Sequence, residues 1–233
     1  MKILSIDTAS NICGVSILEN TNLLINLDSN TGTTHSEKLM PMILDAFEKT
    51  GLTLNNIDLI ICDKGPGSFT GIRIGIATCK AFCDSTNIQG IGVSSLETLA
   101  HNVKNDGLIC SLIDCKKNNC YFALYNLQNG VYSQIIEPST NSLEEIIDNL
   151  KEHTSPITFV GDGAIAYKEF IISQFENSLF VNPEQNILNS YNLALAGLSK
   201  FNKNEFDEML PMYLKKPQAE KQLEERLQSK CTS

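Results

Sequence analysis

A chain of 233 residues, 42% hydrophobic and 19% charged, is long enough to bury a sizeable core as one large domain or as two lobes. Its net charge of −9 argues against unaided binding to nucleic acid, where clustered Lys and Arg supply the affinity, and no apolar run approaches the length of a membrane span. The three histidines (His35, His101, His153) are scattered and no CxxC pair occurs, which excludes zinc-finger spacing, while most of the eight cysteines sit in apolar runs, where a free thiol acts as a small hydrophobe.

The apolar start, Lys2 to Asp7, reads as a strand, because Asp7 interrupts it too early for the hydrophobic region of a signal peptide. The expectation is a soluble cytoplasmic protein with reduced thiols and no membrane contact. Strands follow over Cys13 to Leu18 and Leu23 to Leu27, joined by the tight turn Asn20-Thr21-Asn22. A helix is predicted over Ser36 to Lys49, with Thr34 and Glu37 placed as a capping box and Pro41 kinking its first turns. Leu39, Ile43 and Phe47 form one apolar stripe on it and Met40 and Leu44 another, so that a single sheet contact would not cover both.

Ile57 to Cys62 is then a buried strand, and Gly65-Pro66-Gly67 a rigid turn in which glycine permits positive φ or close backbone approach. Ser68 or Thr70 can cap the helix expected from Thr70 to Asp84, whose only full charges are Arg73, Lys80 and Asp84. Gly71, Gly75, Cys79 and Cys83 recur every fourth residue as a stripe of small side chains, and two helix-interior glycines cost about 1 kcal/mol each. Close approach of another helix would offset that cost. Ile72 and Ile76 belong to the same apolar helix, and Arg73 and Lys80, seven apart, share one side as charged rim contacts. The two helices together could present an apolar face that pairs with a like face in a four-helix packing, or could simply pack on their own sheet. GPGSFTG lacks the lysine and spacing of a phosphate-binding P-loop.

Beyond a hinge near Lys104 to Gly107 the order recurs: strands Leu108 to Asp114, Cys120 to Tyr125 and Val131 to Ile136, a helix Ser142 to Lys151, a strand Ile157 to Val160, the glycine turn Gly161-Asp162-Gly163 and a helix from about Ala164 to Gln174. Asp7 and Asp114 end equivalent strands. The reading is α/β, two βββαβα halves with lobes at 1–105 and 106–233, and a terminal helix or loose tail from Lys215 to Ser233.

Duplicated βββαβα halves resemble the actin, sugar kinase and Hsp70 superfamily, whose members usually bind ATP between the lobes. The resemblance implies a cleft lined by Asp7, Thr8, Asp114, Gly161, Asp162 and Gly163. The sequence departs from the pattern: Asp7 to Asn11 holds no glycine, and Lys116, Lys117 and Asn118 replace small residues, so no nucleotide cofactor is assigned to this chain. Asp7 and Asp114 could equally cap their strands by accepting backbone hydrogen bonds.

More specifically, ILSIDTAS at the start, Thr34-His35-Ser36-Glu37 with Leu39 and Pro41, GPGSFTGIRIG, Ser94-Ser95-Leu96-Glu97, Asp114, Tyr121 and Pro211-Met212-Tyr213-Leu214 with Lys215 resemble the TsaB (YeaZ) family. The resemblance implies a noncatalytic, dimerising subunit of the bacterial machinery that makes threonylcarbamoyladenosine in tRNA. It implies a TsaD-like catalytic partner and a TsaE-like ATPase, a homodimer when the chain is alone, and tRNA contact only through the complex. The catalytic sibling carries a metal-binding HxxxH on its first-lobe helix; here position 39 is Leu39, and His35 alone cannot chelate a metal. The implied interface comprises Leu39, Met40, Ile43, Leu44, Phe47, Gly71, Ile72, Arg73, Gly75, Ile76, Cys79 and Lys80. Two other classes remain open from sequence: a stand-alone phosphotransferase using Asp7 or Asp114 with Mg²⁺, and a degenerate peptidase-like protein.

Overall fold

The structure, a computed structural model, describes residues 1–30, 34–205 and 208–215. The expected terminal helix or tail, Lys215 apart, lies outside the described residues. The first half runs β1 (Lys2–Asp7), β2 (Cys13–Glu19), β3 (Asn22–Ser29), α1 (His35–Thr50), β4 (Leu59–Asp63), α2 (Phe69–Thr86), β5 (Gln89–Val93) and α3 (Ser95–Ala100). The second runs β6 (Gly107–Asp114), β7 (Asn119–Gln128), β8 (Val131–Ser142), α4 (Leu143–Leu150), β9 (Ile157–Val160), α5 (Asp162–Ala166), α6 (Lys168–Gln174), β10 (Ser178–Phe180) and α7 (Ser190–Asn202). Among the described residues no helix is long and apolar enough to cross a membrane.

Each half builds one five-stranded mixed sheet, ordered β3-β2-β1-β4-β5 in the first and β8-β7-β6-β9-β10 in the second. The inner strands are antiparallel to their hairpin neighbours and parallel to the crossover strands, so β6 stands in the second sheet where β1 stands in the first. This is the duplicated two-lobe plan expected from sequence, with a closing strand and helix added to each half.

Two local expectations are corrected. β8 continues beyond Ile136 to Ser142, because Ser139 to Ser142 pair with the first residues of β7 across an irregular register; Pro138 is tolerated there on an edge strand. The helix expected over Ala164 to Gln174 is two, α5 and α6, parted at Tyr167, whose φ of −115° and ψ of 19° leave the helical range. The Tyr167 hydroxyl donates to Asp114 Oδ1 at 2.9 Å, an anchor that a continuous helix does not need. Pro41 lies inside α1, and the helix runs unbroken through it.

The terminal helices exchange sheets. α3 packs on β6 and β7 of the second half, while α7 packs on β1, β2, β4 and β5 of the first. Alternation along β1 and β4 accounts for this: Ile3, Leu59 and Ile61 turn toward α7, and Leu4, Ile6, Ile60 and Cys62 turn toward α1 and α2. Gly197 lets α7 lie close, since a methyl there would stand 2.5 to 2.7 Å from Ile61. Ser190 fixes the register of its first turn, its carbonyl accepting from Ser5 Oγ at 2.6 Å and its hydroxyl meeting Ser16 Oγ at 2.7 Å.

Candidate docking face and interlobe cleft

The glycine-rich turn and the start of α2 are built around the turn that leaves β1. Ser68 caps α2 by accepting from the Gly71 N–H at 3.2 Å, and its own N–H donates to the Ala9 carbonyl at 2.7 Å. That carbonyl lies against Gly67, leaving no room for a side chain. His35, at the start of α1, meets the Ser10 carbonyl through Nε2 at 2.8 Å. The β1–β2 turn is thereby wedged between the first turns of both helices. Glu37 accepts from the Thr34 N–H at 3.0 Å and its hydroxyl at 2.8 Å, the expected capping box.

The small-residue stripe on α2 has an internal explanation. Gly71 lies under the Thr8 carbonyl and Gly75 under the Thr8 hydroxyl, so the end of β1, not another helix, takes the space. The Thr8 hydroxyl donates to the Gly71 carbonyl at 2.7 Å. Thr8, expected at a cleft, is therefore buried against α2.

The residues expected at an interface divide into two groups. Leu39, Ile43, Gly71, Ile72, Gly75, Ile76 and Cys79 are buried within this chain, and Phe47 is half-buried against the same core. Met40 and Leu44 are 42% and 62% exposed, and Arg73 and Lys80 are exposed as well. Phe69, at the start of α2, joins them at 41%. The strand-length apolar runs absorb one stripe of each helix and leave the other outside.

Arg73 does more than border this face. Its Nε donates to the Tyr213 hydroxyl at 2.6 Å, and its guanidinium lies 3.8 Å from the Phe69 ring centroid. Tyr213 belongs to a strap, residues 208–215, that crosses the glycine turn with the Met212 N–H donating to the Lys64 carbonyl at 2.7 Å. Sequence reading gave Pro211 to Leu214 only a family likeness; its contact with α2 spans 140 residues of chain and leaves no local signal.

At the opposite face of the first sheet two carboxyls stand together. The β1–β4 register pairs Ile6 with Cys62, so Asp7 and Asp63 are neighbours at the two strand ends, 2% and 0% exposed. Each holds its own turn, Asp7 Oδ1 accepting from the Ala9 N–H at 2.9 Å and Asp63 Oδ1 from the Gly65 N–H at 2.7 Å and Ser95 Oγ at 2.6 Å. Asp63 Oδ2 has no hydrogen-bond partner among the described residues. Burial raises the Asp7 pKa to about 7 against the pull of the Ala9 N–H, with the Asp28 charge adding to the rise; burial, then the Asp7 charge, raises Asp63 as well. Sequence reading missed Asp63, although an aspartate just before the glycine turn repeats the position of Asp7 at the end of β1.

A raised carboxyl keeps a proton in the fold that the unfolded chain releases, so its stabilising effect is present below pH 3.8 and is lost as pH rises through about 7. Asp7→Asn, which keeps the acceptor for Ala9, is expected to match the wild type near pH 4 and to melt higher at pH 8. The gain is bounded by about 4 kcal/mol. Melting curves across pH 4 to 8 check this; parallel curves for the two proteins would contradict it.

The other residues assigned to a nucleotide cleft, Asp114, Gly161, Asp162 and Gly163, lie together near the end of β6. Asp114 accepts from the Lys116 N–H at 2.8 Å and pairs with its ammonium at 2.9 Å, and the Asp114 N–H donates to Asp162 Oδ1 at 2.9 Å. Gly161 and Gly163 lie against Leu112 at the end of β6. A cavity of about 460 Å³ is lined by residues including Asp28, Asn102, Lys104, Gln185 and Asn189, and by none of the six predicted cleft residues. Among the described residues no three His, Cys, Asp or Glu side chains come together as metal ligands.

Comparison with known proteins places these features in context. Residues 29–224 match a family profile described as TsaD, tRNA N6-adenosine threonylcarbamoyltransferase. The chain is similar to the tRNA threonylcarbamoyladenosine biosynthesis protein TsaB of Bacillus subtilis, 32% identical over 172 residues covering 73% of this chain and 75% of the relative. The Haemophilus influenzae protein of the same name is 28% identical over 234 residues, 92% and 94% of the two chains. In structure the chain is similar to YeaZ from Pseudomonas aeruginosa, with a TM-score of 0.78 at 24% identity over 91% of this chain and 99% of that one.

Proposed function

The chain belongs to the TsaB (YeaZ) family of threonylcarbamoyladenosine biosynthesis proteins, and from that premise we propose that it is the noncatalytic assembly subunit of a tRNA threonylcarbamoyltransferase complex. It docks on a TsaD-like catalytic chain through the outward faces of α1 and α2, with a TsaE-like ATPase joining the assembly and tRNA reached only through the complex. Alone in the cytoplasm, the chain pairs with itself through the same face. Residues 1–105 carry the partner-binding helices, and the second sheet is built from strands beyond residue 105. Docking acts on the catalytic chain by favouring whichever of its arrangements the contact fits more tightly.

The observation that carries this reading is the division of α1, which buries Leu39 and Ile43 in its own core while Met40 and Leu44, one turn apart, stand in solvent. Apolar side chains grouped in this way mark a protein-binding surface. A phosphotransferase would need Asp7 or Asp114 turned toward a nucleotide. Asp7 is buried and bound to its own turn, and Asp114 is engaged by Lys116 and Tyr167.

Reconstitution tests the proposal. Threonylcarbamoyl transfer to tRNA by a TsaD-like and TsaE-like pair is expected to depend on added chain, while the chain alone turns over no ATP. Transfer at the full rate without it, or steady ATP hydrolysis by the isolated chain, would refute the assignment.

A further inference from the structure

We propose that the C-terminal strap is itself part of the partner-binding surface, presenting Tyr213 and Phe69 as a preformed aromatic anchor and Arg73 as the cation that receives a carboxylate from the TsaD-like chain. The inference rests on the docking role proposed above and extends it to a segment outside the two helices.

The strap is fixed along its length. Met209 is buried where Gly90 provides the space, and the Glu208 carbonyl lies against Gly92, where a methyl would stand 2.6 Å away. The Met212 N–H is bound to Lys64 as described, and the Leu214 carbonyl accepts from Thr140 Oγ1 of β8 at 3.2 Å. Lys215 Nζ reaches the Cys115 carbonyl at 3.1 Å. The segment is thus tied to β5 and the glycine turn on one side and to the second lobe on the other.

Within this fixed frame, Tyr213 remains 44% exposed, beside the exposed Phe69 at a centroid separation of 5.1 Å. A pair of rings already held by a guanidinium loses little conformational freedom on binding, and Tyr and Arg are enriched among the residues that dominate interface energies. The Nε hydrogen bond leaves the outer guanidinium nitrogens of Arg73 available. The ion pairs among the described residues do not include Arg73, in a chain with 27 acidic residues against 18 basic ones. An exposed cation left without a carboxylate among the described residues points to a partner that brings one.

The test is a titration of full-length chain with the TsaD-like transferase of the same organism, for the wild type, Tyr213→Ala, Tyr213→Phe, Arg73→Gln and, as a control on α1, Leu44→Glu, with melting curves for each. Tyr213→Ala is expected to weaken binding by about tenfold or more, Tyr213→Phe by less, and Arg73→Gln to flatten the salt dependence of the affinity. If Leu44→Glu abolishes binding while the strap and arginine variants bind like wild type, this inference is overturned and the docking reading stands. If all variants bind alike, the docking reading itself fails. Loss confined to self-association would assign the rings to a second copy and also overturn the inference. Should Tyr213→Ala unfold, Tyr213→Phe and Arg73→Gln decide the matter, since both keep a side chain of similar bulk.

Discussion

Replacing Gly75 with leucine, or Gly71 with valine, is expected to cost several kcal/mol of folding stability and to lower the urea unfolding midpoint clearly. At Gly71 a first side-chain carbon would collide with the Thr8 carbonyl and come within 3.0 Å of His35 and 3.2 Å of Ser68 Oγ. At Gly75 it would collide with the Thr8 hydroxyl. Thr8 cannot retreat, because it is fully buried and the Ala9 carbonyl beside it holds Ser68. Overpacking of a well-packed site costs about 1 to 3 kcal/mol, and displacing Thr8 adds a broken buried hydrogen bond of about 1 kcal/mol or more. Against a total stability of about 5 to 15 kcal/mol that loss is a large fraction. Ala77→Val, on the exposed side of the same helix, supplies the comparison and should change stability by less than about 1 kcal/mol. Urea unfolding midpoints distinguish the two sites; equal midpoints would show that the glycines are not an internal requirement.

The second large effect is expected on assembly alone. The double variant Met40→Glu, Leu44→Glu should keep its melting temperature within a few degrees, because both positions face solvent and glutamate favours helix. Binding to the TsaD-like chain should fall by about a hundredfold or more, since two charges would be desolvated in an apolar contact at about 1 to 3 kcal/mol each. Sedimentation of equimolar mixtures at micromolar concentration reads this directly. A double variant that still cosediments as a complex would remove α1 from the interface.

These two experiments separate what the glycines do from what the exposed side chains do, a distinction the sequence alone does not make. Small residues every fourth position have one pattern whether a helix or a strand end comes close. Position in the β1–α2 packing decides it, and Thr8 lies 63 residues from Gly71. Short apolar runs suffice where a strand is buried on both faces, and the strands read at Lys2 to Asp7 and Ile157 to Val160 have those bounds; periodicity suffices for α1, which separates its two apolar stripes as its spacing implies.

The elements that escaped notice have physical reasons. β5 carries a weak strand signal because Gly90 and Gly92 make room for the strap. α7 carries Ala194, Ala196 and Gly197 on its buried side, a weak apolar signal that exists to bring the helix against the first sheet. Asp7 reads from sequence as either a cleft residue or a strand cap, and its carboxyl accepts from the Ala9 N–H as a cap does; its buried companion Asp63 becomes visible only through the parallel register of β1 and β4.

The central claim, that this chain works by docking the outward side of α1 and α2 on a catalytic partner, is tested most directly by hydrogen–deuterium exchange of the free and bound chain. Slowed exchange at residues 35–50 and 69–86 and at the strap, with the cavity-lining segment 184–192 unchanged, is the predicted result. Protection confined to 184–192, or a bound chain that exchanges like the free one throughout α1 and α2, would contradict it.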